Sequence, residues 1–140
     1  MQTEFETFMK NKTWTLVPYE GQKNIIDSKW IFMTKYKANG TLERRKARLV
    51  AKGFQQYAGI DYEETFSPVI KASTVRIILT LAVFFNWEVR QMDINNAFLN
   101  GFLKKSVFMH QPEGFTDPNK PDHVCKLIKA IDGLKQAARA

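Results

Sequence analysis

The sequence predicts an α+β fold, and three observations lead to it. Residues 29–37 are rich in aromatic and branched side chains, and after Asn39-Gly40 a return stretch runs over 42–53, which together read as a β-hairpin. An apolar segment over 73–85, interrupted only by Arg76 and Thr80, reads as a helix. Short apolar runs at 107–110 and 124–128 supply further strands. In 140 residues with no repeat, low-complexity tract or dividing linker, these elements are expected to form a single domain with a real core.

Taken in order, residues 3–11 carry Phe5, Phe8 and Met9 at helical spacing, and 14–18 form a brief strand stopped by Pro18. In the hairpin, Asn39-Gly40 is a strong turn signal because both residues tolerate positive φ. Residues 57–68 are polar and end in Ser-Pro, so they read as a loop. In the 73–85 helix, Arg76 and Thr80 lie four apart on one stripe, which predicts burial of the rest. Ser73 or Thr74 can cap its start. Residues 87–93 alternate like a strand and place Asp93 at its C-terminal end. Residues 111–122 are a loop with three prolines, and 129–140 read equally as hairpin or helix start.

Charge is unevenly placed. The net +7 equals the balance of residues 29–56, where Lys29, Lys35, Lys37, Arg44, Arg45, Lys46, Arg48 and Lys52 face one acid, Glu43. Alternation puts Arg44, Lys46, Arg48, Val50 and Lys52 on one face of the return strand. A ribbon with one cationic face suits phosphate tracking; a solvated edge that Lys and Arg keep from aggregating is the other reading.

Some classes are excluded. No apolar run approaches the ~20 residues that span a bilayer, so no membrane partner is expected. MQTEFETFMK resembles neither a secretory signal nor a transit peptide. A single cysteine, Cys125, fits a reducing compartment and an intracellular protein; inside an apolar strand it is expected to be buried and inert. No Gly-rich phosphate loop, HExxH, GxSxG or paired CxxC occurs, and His110, His123 and Cys125 match no zinc spacing. Asp93, in QMDINNAFLNG (91–101), reads either as a helix cap or as a ligand for a divalent metal in phosphoryl transfer.

NKTWTLVP (11–18), SKWIF (28–32), NGTLERRKARLVAKGFQ (39–55), GIDYEETFSPV (59–69), QMDINNAFLNG (91–101), QPEGF (111–115) and GLKQA (133–137) together resemble, in order and spacing, the N-terminal part of copia-type LTR-retrotransposon reverse transcriptases. The resemblance implies the fingers (about 1–72) and the start of the palm (about 73–140) of a right-hand polymerase fold, incomplete in this chain. It also implies Mg2+ as cofactor, with Asp93 and the backbone carbonyl of Ile94 as metal ligands. Arg48 would contact the phosphates of an incoming deoxynucleotide, and Phe98 would exclude a 2′-hydroxyl. Arg44, Lys46, Lys52 and Gln136 would lie along the RNA or DNA primer–template, in a cytoplasmic setting. The family's Tyr-x-Asp-Asp element has no counterpart, as no Asp-Asp pair occurs here, and Asp132 and Ala138 stand where tyrosine and proline are usual. The chain alone is therefore expected to lack polymerase activity. A non-catalytic nucleic-acid-binding remnant, or a degenerate product without function, is the alternative.

Overall fold

The computed structural model describes residues 1–21, 24–65, 70–92 and 97–140 and shows a mixed α+β chain dominated by strands. Helix α1 spans Gln2–Lys10, followed by β1 (Trp14–Pro18), β2 (Ile25–Ile26), β3 (Ser28–Tyr36) and β4 (Leu42–Ala51). Helix α2 spans Ala72–Phe84, and β5 (Phe102–Met109) and β6 (His123–Lys129) follow it. No helix among the described residues is long and apolar enough to cross a membrane.

Four strands form one sheet in the order β1-β6-β5-β2, antiparallel except for the β2–β5 pair. Register aligns side chains into cross-strand rows, because paired residues share a face. One row runs Leu16, Cys125, Met109 and Ile26, and a second runs Trp14, Leu127 and Val107. Phe8 of α1, Leu49 and Ala51 of β4, and Ile131, Leu134 and Ala137 close over these rows as one core. Phe5 stacks on Phe115 at 4.3 Å, and Phe115 meets Trp30 at 5.6 Å, tying α1, the 111–122 loop and β3 together.

Several expectations are corrected. Residues 87–92 form no strand: alternation supplies faces, but a strand also needs a neighbour for its backbone N–H and C=O groups. Helix α2 buries only Ala82, so the stripe argument for its burial fails; an apolar face is buried only where something packs on it. Its N-cap is Lys71 with no side-chain cap, not Ser73 or Thr74. The return strand stops at Ala51, β5 begins five residues before 107, and the two-residue β2 went unpredicted. Residues 131–139 make consecutive turns rather than a hairpin or a helix.

Candidate nucleic-acid interface

The basic hairpin is a two-stranded ribbon, β3 with β4, separate from the main sheet. At its tip Gly40 N–H donates to the Lys37 carbonyl at 2.9 Å, and Lys37 N–H to the Thr41 carbonyl at 2.9 Å. Asn39 Oδ1 accepts from the Thr41 amide at 3.1 Å and its hydroxyl at 2.6 Å. Gly40 alone takes positive φ (79°), so the turn is a three-residue connection that closes with a left-handed glycine. The two-residue form, with both Asn39 and Gly40 at positive φ, is not adopted.

Register makes the cationic face larger than β4 alone indicates. Arg44 pairs with Lys35, Lys46 with Met33, Arg48 with Ile31 and Val50 with Lys29. Lys29, Lys35, Arg44, Lys46 and Arg48 therefore share one face, and among the described residues none of them is ion-paired. The contributions of Lys29 and Lys35 were missed; counting pairs back from the turn would have found them.

Lys52 does not extend that face. It lies beyond the end of β4, and its Nζ meets Asp27 Oδ2 at 3.2 Å. Asp27 also accepts from Gln55 Nε2 at 3.0 Å, while its own amide donates to Gln55 Oε1 at 2.7 Å. The Gln55 hydrogen bond, then Lys52, hold the Asp27 carboxyl below its ordinary value. This lock fixes the root of the ribbon. A second fixation comes from the Ala51 amide, which donates to the Asp132 carbonyl at 2.8 Å. Because that acceptor is backbone, the contact does not depend on which side chain stands at 132.

Gln136 is committed to the same region. Its Oε1 accepts from Gln56 Nε2 and its Nε2 donates to the Asp61 carbonyl, both at 3.1 Å. The Asp61 carboxylate is buried and accepts from Asn24 Nδ2 and the Tyr57 amide, each at 2.8 Å. Phe98 stands in a short 3-10 turn and lines a small cleft with Leu49, Leu99, Ile131 and Asp132. It meets the ribbon root on the Leu49 side, and Arg48, the residue before Leu49 on β4, falls on the other face by alternation. Asp93 and Ile94 lie outside the described residues. Among those described, no three acidic, histidine or cysteine side chains group to hold a cation. Cys125 is buried, and desolvation pushes its thiol up to about 12.

A sequence model of the family described as reverse transcriptase (RNA-dependent DNA polymerase) matches residues 11–140. The chain belongs to that family. It is 52% identical over 141 residues to the retrovirus-related Pol polyproteins from transposons RE1 and RE2 of Arabidopsis thaliana, covering 100% of this chain. It is 48% identical to the Pol polyprotein from transposon TNT 1-94 of Nicotiana tabacum, covering 99% of this chain. The chain spans 10% of the length of each of these relatives. No solved structure matches it.

Proposed function

We propose that this chain is the fingers (about 1–72) and first palm segment (about 73–140) of an RNA-directed DNA polymerase from a copia-type element. The observation that carries this reading is the five-cation face of the ribbon, exposed except at half-buried Lys46 and without ion pairs among the described residues, in a member of the reverse transcriptase family. Phosphates are the ligands such a face suits, because each neutralised phosphate releases condensed counterions. In the longer protein Arg48 contacts the phosphates of an incoming deoxynucleotide, and Arg44 and Lys46 follow the primer–template backbone. Lys52 and Gln136, held in hydrogen-bonded networks, keep the ribbon root and the neighbouring turns in place beside that path. Phe98 is the residue we assign to discrimination against a 2′-hydroxyl. Asp93, with the Ile94 carbonyl, is the ligand assigned to Mg2+, which when bound neutralises charge on the reacting phosphates. We place this activity in the cytoplasm.

The test is binding of the 140-residue chain to an RNA–DNA primer–template across a salt series. Replacing Arg44, Lys46 and Arg48 by glutamine should flatten the dependence of log K on log salt by roughly 0.9 per lost phosphate contact. An unchanged slope would sink the assignment of that face. Primer extension by the chain alone should stay at background, since one carboxylate cannot hold two metal ions ~3.5–4 Å apart.

A further inference from the structure

We propose that Phe115 is a positioning residue for the cationic ribbon: with the Glu113 carbonyl it forms a socket for Trp30 that fixes the angle at which the ribbon leaves the core. This rests on the polyanion-binding reading above and adds what aims the charged face at its ligand. The socket is built by QPEGF, residues 111–115. Gln111 closes the 111–122 loop on itself. Its Nε2 donates to the Lys120 and His123 carbonyls at 2.8 and 3.0 Å, and its Oε1 accepts from the Asp117 amide at 2.8 Å. Pro112 is fully buried, and its carbonyl accepts from the Phe115 amide at 2.9 Å. Gly114, at φ 81°, makes the turn between Glu113 and Phe115.

Trp30 enters this socket by two contacts. Its ring meets Phe115 at 5.6 Å, and its Nε1–H donates to the Glu113 carbonyl at 3.0 Å. Phe115 is backed in turn by Phe5, stacked at 4.3 Å, and Phe5 lies 6.0 Å from Trp14 of β1. Trp30 pairs with Leu49, which is buried in the core, and paired residues share a face. Socket and core therefore grip the ribbon by the face opposite Lys29, Lys35, Arg44, Lys46 and Arg48, and leave those cations turned outward. Farther out, residues 31–36 and 42–45 are all exposed, so the angle is set at the root. Six strand residues put Tyr36 roughly 20 Å beyond Trp30. A swing of about 10° at the root would move the tip by roughly 3–4 Å, more than the length of a hydrogen bond. Holding that angle before the ligand arrives removes an ordering cost from binding.

The experiment uses the 140-residue chain with Trp14→Phe and Trp87→Phe, which leaves Trp30 as its one indole. Trp30 emission and affinity for an RNA–DNA primer–template are read where circular dichroism shows the parent fold. Phe115→Leu should shift the emission to the red and weaken binding by about three- to tenfold. The slope of log K against log salt should not change, because the same phosphates are met. Phe115→Tyr, which keeps the ring, should restore both readings. In the otherwise native chain, Trp30→Phe gives up only the donation to Glu113 and should weaken binding by about two- to threefold; it carries the test if Phe115→Leu does not fold. A lower unfolding midpoint with parent emission and parent affinity would show that Phe115 serves packing alone, and overturns the proposal. A flattened salt slope overturns it too, since phosphate contacts would then have been lost rather than misaimed. If the socket variants bind as the parent does while neutralising Arg44, Lys46 and Arg48 still flattens the slope, this inference fails and the polyanion reading stands. If the parent does not bind, both fall.

Discussion

Strand β6 and helix α2 are both apolar in sequence and come to rest in opposite surroundings. Val124, Cys125 and Leu127 of β6 are at most 4% exposed, whereas Val75, Ile77, Ile78, Leu79, Val83 and Phe84 of α2 lie between 45% and 77%. The difference follows from where each element completes its backbone hydrogen bonds. A helix closes its ladder within itself, so α2 forms whether or not anything covers it. A strand closes its ladder on neighbours, so β6, between β1 and β5, is flanked on both edges once it exists. The same rule explains why residues 87–92, alternating but unpaired among the described residues, are not a strand. An apolar run states a need for a partner; it does not say that the partner is in hand.

The largest effect that tests this contrast lies where the ribbon joins the core. Gly133 has φ +89°, and a Cβ there would sit 2.2 Å from the Ala51 carbonyl oxygen. Gly133→Ala should cost roughly 4 kcal/mol of unfolding free energy, from combined backbone strain and overpacking. A loss below ~1 kcal/mol would show that the ribbon root does not press on the C-terminal turns in solution.

Next comes the contrast itself. Leu127→Ala should cost about 3 kcal/mol, since a core site relaxes only partly around the lost atoms. Ile77→Ser, at a site 61% exposed, should change stability by no more than ~0.5 kcal/mol and reduce binding of an apolar dye. Equal costs in urea unfolding would mean that α2 is covered in solution, and the contrast would break.

What was legible in the sequence was local. The hairpin, both helices and the β1, β5 and β6 regions announce themselves through composition, period and turn residues, and Cys125 through its apolar flanks. Pairing is non-local, and there the reading stopped short. Lys29 and Lys35 join the cationic face only through register with Val50 and Arg44, and the Ile25–Ile26 strand exists only because β5 offers an edge. Lys52 reads as one more base on a strand until Asp27, 25 residues earlier, is seen to hold it. Arg48 and Phe98 are both present at the ribbon root, on opposite sides of β4, an arrangement that no spacing in the sequence conveys.

The Asp27 lock supplies the smallest of these effects, and its pH dependence has a definite sign. Gln55 and Lys52 hold the carboxyl below its ordinary value in the folded chain. A folded-state value below the unfolded one, near ~3.9, gives stability that is present above the unfolded value and lost as pH falls through the folded one. The side chains of Lys52 and Asp27 are 32% and 41% exposed, so solvent screens much of their attraction. Asp27→Asn should therefore cost only about 1 kcal/mol at neutral pH. Unfolding curves of parent and variant should converge as pH falls, because the parent carboxyl then becomes neutral too. High salt at neutral pH should narrow the gap in part, leaving the share that comes from the Gln55 hydrogen bond. A gap that persists undiminished in acid would mean that the Asp27 carboxylate charge contributes nothing to holding the root of the ribbon.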